Sequence, residues 1–362
     1  MVIATRNSFF ACAYGPHIFV SNGKASVQVS ASAQVIALAF NADASILLSA
    51  SQDKQLTCYK VETSPSFQIT LVESREVPRN ATSMVTTRYT NEGQSLEAVL
   101  IAVNAGEVMA YPVPHVKSHQ GKSLLAHTTS IVTDVAINSE ESLLLTADRD
   151  EKIRVTNFPA TTLVQSYCLG HRQCVRKLAV SVKTPTQFVS VGLDDTLKLW
   201  NISTGELLDS VDLASSGEAE TKHCGVTVCP STDHVAVVRN STKQVELFQI
   251  ENNKLTQLRE ELTSGDAQPV DVQFVADGHL VVAYNQAPFL QLFAVNDTAL
   301  QSVGIPELEG FIKLSENTVL AKESNDDNDG DSEDGELRKK KLKPSHWKAK
   351  LPSGQKATRS DE

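Results

Sequence analysis

FVSVGLDDTLKLWN (188–201) runs from an apolar segment through a turn with two Asp residues into a short apolar strand that ends on an aromatic. The same order recurs in LLSASQDKQLTCY (47–59) and LLLTADRDEKIRVTNF (143–158). Diverged copies are VLIAVNAGEVMAY (99–111), VAVVRNSTKQVELF (235–248) and LVVAYNQAPFLQLF (280–293). Their closing positions, 59, 111, 156, 200, 248 and 293, are spaced by 44 to 52 residues. Strand-type patterning at that period predicts an all-β chain, a seven-bladed WD-repeat β-propeller. Residues 1–322 allow 46 per blade, close to one WD unit.

Six repeats leave one blade to be found. FFACAYGPHIFVS (9–21) reads as a hairpin around a Gly-Pro turn. GFIKLSENTVLAK (310–322) reads as a second, turning at Ser-Glu-Asn. The expectation is that the N-terminal strands and 310–322 share one blade, close the ring and hide its two open edges.

The fourth repeat carries the fullest pattern. His171 follows Gly170, Ser190 lies on the second strand, Asp194 in the next turn, and Trp200 closes the third strand. A His, a Ser and an Asp could suggest a hydrolytic triad. Their standard places in the repeat favour a buried structural tetrad instead. The third repeat keeps His127, Thr146 and Asp150, with Thr156 where Trp would stand. On this reading Asp150 holds the turn. Asp148, Arg149, Glu151, Lys152 and Arg154 are then surplus to the fold, five charges on one turn and its strand. CLGHRQCVRK (168–177) adds Arg172, Arg176 and Lys177 beside them. A solvated charged edge would account for such a surface, and so would a protein partner, since Arg is favoured at binding hot spots.

TADRDEKIRV (146–155), a spacer and CLGH (168–171) resemble the WD-repeat, non-catalytic subunit of eukaryotic tRNA (guanine-N7) methyltransferase. The resemblance is strongest over about 127–201. It implies a propeller without an active site, which binds and stabilises an S-adenosylmethionine-dependent catalytic subunit as a heterodimer. The pair would form 7-methylguanosine in the tRNA variable loop. It also implies that Arg149, Lys152, Arg154, Arg172, Arg176 and Lys177 meet the partner, while Asp150 and His171 hold the turns presenting them. The rival expectation is a general WD-repeat adaptor for a chromatin or ubiquitin-ligase complex.

The residues themselves agree with a non-enzyme. No GxGxxG opens a helix after a strand, so no cofactor is expected in this chain; the resemblance implies that S-adenosylmethionine is on the partner. The six cysteines form no CxxC pair, and no His/Cys cluster has metal-ligand spacing, which predicts reduced structural thiols and no metal. No apolar run approaches the roughly 18 residues of a membrane span.

Composition changes after Lys322. Residues 323–336 hold eight acids and no base; 338–359 hold nine bases and no acid. Such blocks predict a disordered, acidic-then-basic tail over 323–362. The formal charge of 1–322 is −9. An acidic ring repels phosphate, so tRNA is expected to be reached mainly through the complex. Lys339, Lys340, Lys341, Lys343 and Trp347 form a candidate RNA-contact or nuclear-import segment, which points to the nucleus, with the cytoplasm also open.

Overall fold

The computed structural model describes residues 1–313 except 92–93, 115, 117–120, 128–129, 214–222, 243, 263–266, 297–298, 306–307 and 309. Seven four-stranded antiparallel sheets follow one another along the chain, each built from four consecutive strands. Blade 1 contains β1 (Val2–Arg6), β2 (Phe9–Tyr14), β3 (His17–Ser21) and β4 (Ser26–Ser30). Blade 2 contains β5 (Val35–Phe40), β6 (Ile46–Ser51), β7 (Gln55–Glu62) and β8 (Gln68–Glu76). In blade 3 are β9 (Ala81–Asn91), β10 (Gln94–Val103), β11 (Glu107–Pro112) and β12 (Lys122–Ala126). Blade 4 has β13 (Val132–Ile137), β14 (Leu143–Asp148), β15 (Lys152–Asn157) and β16 (Val164–Leu169). Blade 5 has β17 (Val175–Val180), β18 (Gln187–Gly192), β19 (Thr196–Asn201) and β20 (Leu207–Asp212). Blade 6 comprises β21 (Cys224–Val228), β22 (His234–Arg239), β23 (Gln244–Glu251) and β24 (Lys254–Leu262). Blade 7 comprises β25 (Pro269–Phe274), β26 (His279–Tyr284), β27 (Leu290–Asn296) and β28 (Ala299–Val303).

The first strands of neighbouring blades pack in a closed circuit, with β1 against β5 on one side and β25 on the other. They surround a channel of about 420 Å³. All six closing positions read from the sequence fall on the third strand of a blade, so the third and fourth repeats are blades 4 and 5. The β2–β3 hairpin also lies where FFACAYGPHIFVS predicts it.

Seven apolar clusters hold the ring, one at each seam between successive blades. Second strands therefore have a neighbour on both faces. β6 and β18 are buried at every position, which explains why the repeats begin with continuous apolar runs rather than alternation.

Ring closure differs from the expected shared blade. Among the described residues β1 to β4 form the whole four-stranded sheet of blade 1. Of the segment 310–322, residues 310–313 are helical, and 314–322 lie outside the described residues. Phe311 is fully buried with Phe10, Phe19 and Phe289, so this short helix seals the seam between blades 7 and 1 by packing rather than strand pairing. The seam is also tied by the Ile3 amide donating to Asp271 Oδ2 at 2.8 Å and the Ala276 amide donating to the Asn7 carbonyl at 3.0 Å. The charged segment 323–362, with Lys339, Lys340, Lys341, Lys343 and Trp347, lies outside the described residues.

Candidate protein-interaction face

In blade 5, Trp200 Nε1 donates to Ser190 Oγ at 2.8 Å. Ser190 Oγ lies 2.7 Å from His171 Nε2, and His171 Nδ1 lies 3.0 Å from both Asp194 oxygens. A carboxylate only accepts, so Nδ1–H of His171 donates to Asp194, and Nε2 is partnered by the Ser190 hydroxyl, whose oxygen also accepts from Trp200. Ser190 and the His171 ring are fully buried, so no substrate can reach this hydroxyl. The network joins strands and does no chemistry. Burial would raise the Asp194 pKa, but hydrogen bonds from His171 and from the Arg172 amide outweigh it and bring the carboxyl down to about 2.

Blade 4 builds the same network from a different aspartate. His127 Nδ1 lies 3.0 Å from Asp148 Oδ2, His127 Nε2 lies 2.8 Å from Thr146 Oγ1, and the Lys152 amide donates to Asp148 Oδ1 at 3.0 Å. Asp148 is buried; burial opposes its ionisation, but these bonds still hold its pKa below the usual range. Asp150, expected to hold this turn, is 42% exposed and carries only a 3.5 Å ion pair with Arg149. The cause is one position away. Asp148 aligns with Gly192, where an added Cβ would come within 2.8 Å of both Asp194 Oδ1 and His171 Nδ1. Blade 5 needs that void for the incoming Asp194 side chain. Blade 4 fills it with Asp148, whose own carboxylate reaches the histidine, and Asp150 is left outside.

The two turns face the same way. Arg149, Asp150 and Glu151 lie between β14 and β15, while Arg172 and Gln173 lie on the connection entering blade 5; Arg149 and Arg172 are exposed. The Arg172 backbone is pinned by its bond to Asp194, so the tetrad positions this side chain without touching it. Lys152 is exposed at the start of β15. Arg154, half-buried further along that strand, donates through Nη2 to the Ala126 carbonyl at 3.3 Å. Arg176 is half-buried near the start of β17. The structure thus leaves Arg149, Lys152 and Arg172 exposed on the turn of blade 4 and its connection to blade 5, whereas Arg176 lies within electrostatic reach of Lys177 and of Cys224 in blade 6.

Lys177 departs from this group. It lines the central channel and places Nζ 3.3 Å from Asp134 Oδ1. Burial acts against its charge, but Asp134 and Asp271 overcome that and raise its pKa. A register shift in β17 between Val175 and Lys177 turns the side chain inward.

Sequence reading missed a buried charge group at the seam of blades 5 and 6. Arg239 is fully buried, with Nη1 3.1 Å from Asp195 Oδ1 and Nη2 2.6 Å from Glu246 Oε1. A signal was available: VAVVR (235–239) and VELF (245–248) each set one charge in an apolar run, and such charges must be paired when buried. Among the described residues no group of three or more His, Cys, Asp or Glu side chains could hold a metal ion. No helix among them is long and apolar enough to cross a membrane.

Ring, seams and tetrads define the class: a seven-bladed WD-repeat β-propeller. Solved propellers match it as folds, among them a chain of the mitotic checkpoint complex with TM-score 0.66 at 16% identity, covering 81% of this chain and 89% of that one. The WD40 propeller domain of Doa1 matches with TM-score 0.59 at 16% identity, covering 80% and 90%. Within the class, the family it resembles is that of the WD-repeat non-catalytic subunits of tRNA (guanine-N7) methyltransferase. Residues 114–291 match the model of the tRNA methyltransferase TRM82 WD40 domain. The human non-catalytic subunit WDR4 is 31% identical over 232 residues, 61% of this chain and 55% of that protein. Its Danio rerio counterpart is 29% identical over 60% of this chain and 51% of that protein. Wuho of Culex quinquefasciatus, another named non-catalytic subunit, is 27% identical over 80% and 66%. The matched region spans about half the length of the first two.

Proposed function

We propose that this chain is the non-catalytic subunit of a tRNA (guanine-N7) methyltransferase. It binds a catalytic subunit as a heterodimer and holds it in its folded, active form. S-adenosylmethionine sits on that partner, tRNA is engaged mainly through the complex, and the product is 7-methylguanosine in the variable loop. Work in the nucleus is part of the proposal and rests on the basic run 338–359. The observation that carries this reading is the exposed charged rim at blades 4 and 5. Buried histidine networks beneath it already satisfy the fold, and the rim lies inside the region matched to the TRM82 WD40 domain. Arg149 and Arg172 present guanidinium groups there, suited to bidentate bonds with carboxylates.

Binding only the folded partner stabilises it by mass action, by about 2.7 kcal/mol when this chain is at a hundredfold excess over Kd. Adding this protein should raise the melting temperature and the methyl-transfer activity of the catalytic subunit together. R149E/R172E should keep its own melting temperature and lose both effects at equal concentration. Full activation by that variant at wild-type affinity would remove the rim from the account.

A further inference from the structure

Below the charged rim, the outer edge of blade 4 is apolar. Among the described residues nine large apolar side chains are exposed, and four of them, Leu163, Val164, Tyr167 and Leu169, lie along β16 and the turn before it, with Leu207 on β20 across the seam to blade 5. Tyr167 is 51% and Leu169 is 64% exposed. The two segments are neighbours: a Cβ on Gly170 would lie 3.8 Å from Leu207 Cδ2, and one on Gly205 would lie 2.6 Å from the Tyr167 carbonyl oxygen. β16 is the outermost strand of its sheet, and among the described residues no strand pairs with its far side. Such edges are normally blunted by charge, as β8 is with ESRE (73–76). VQSYCL (164–169) has no charge at all. Cys168 and Ser166 face blade 5, Cys168 in the core and Ser166 donating to the Ile202 carbonyl, which leaves Tyr167 and Leu169 on the other face.

Cations border this edge. Lys152 pairs in register with Leu169, and Arg154 with Tyr167. Arg149 and Arg172 stand on the rim above. On a protein of net charge −10, an apolar strip lined by cations suits an occupant that is apolar at its centre and acidic around it. We infer that the outer edge of β16, with Tyr167 and Leu169 as its anchors, is the apolar centre of the docking face for the catalytic subunit, and that the charged rim is its border. This rests on the proposed function and adds what the charged motifs did not supply. Rim charges set encounter and orientation, whereas affinity concentrates in desolvated apolar and aromatic anchors.

The test uses the full chain and the catalytic subunit from the same source. Wild type, Y167E/L169K and the control L71K/V72K, which alters the exposed apolar pair on β8, are compared for melting temperature and for Kd to that subunit. Y167E/L169K should weaken binding at least 100-fold with an unchanged melting temperature, and the control should bind as wild type does. Hydrogen exchange on the wild-type complex provides a readout independent of any variant: the β16 amides should gain protection on binding. Wild-type Kd for Y167E/L169K, or protection confined to another blade, overturns the docking face and leaves the proposed function standing. Protection of β16 already present in the free chain and lost on removing 314–362 also overturns it, because the chain's own segment is then the occupant. A wild-type protein that binds no catalytic subunit overturns the proposed function itself.

Discussion

At the scale of single residues, Asp148 and Asp150 have exchanged the roles their positions suggest. The histidine network of blade 4 closes on Asp148, and Asp150 contributes only a surface ion pair worth little. D148N should lower stability by about 1–3 kcal/mol, the cost of an unsatisfied buried partner, whereas D150N should leave the melting temperature unchanged. Equal effects in thermal unfolding would refute the exchange. G192A tests its cause: the added methyl would push apart Asp194 and His171 and cost about 1–3 kcal/mol, as overpacking does. Asp194 also sets a pH dependence. Its folded pKa of about 2 lies below the ordinary 3.8, so its contribution is complete above the ordinary value and fades as pH falls from about 4 towards 2. That contribution is about 2 kcal/mol. Denaturant titrations between pH 5 and pH 2.5 should show this loss in the wild type and not in D194N.

Among elements, what the sequence revealed and what it concealed have separate causes. The tetrad of His171, Ser190, Asp194 and Trp200 was legible because each residue sits at a fixed offset from the strand that Trp200 closes. The exchange in blade 4 was not, because register alone aligns Asp150 with Asp194; only the void over Gly192 tells the two blades apart. The resemblance groups Lys177 with the rim cations, but it carries no register, and a bulge in β17 turns this side chain into the channel. Similar register shifts occur in β5, β13 and β25, and they bring Ala37, Asp134 and Asp271 to the equivalent channel position. The closing helix was hidden for another reason: GFIK (310–313) is too short to show a helical period, and its role depends on Phe10 and Phe19 three hundred residues earlier. F311A should destabilise the protein by about 3–5 kcal/mol, as the loss of a buried aromatic does. An unchanged midpoint in denaturant would show that the seam holds without it.

The molecule as a whole combines a rigid ring with one unusual sector. Every seam has its own apolar cluster, and the histidine networks, a triad in blade 4 and a tetrad in blade 5, stiffen the turns that carry the charges. Stability and recognition are thereby separated: buried aspartates and histidines fix the turns, while exposed cations and the β16 edge remain available to a partner. The central claim is partnership with a methyltransferase. Its most direct test is methyl transfer from S-adenosylmethionine to tRNA by material co-purified on the tagged chain, with the modified nucleotide mapped. The account predicts 7-methylguanine in the variable loop, lost when R149E/R172E is the bait. Stable co-purification of other proteins with no methyl transfer to tRNA would contradict it.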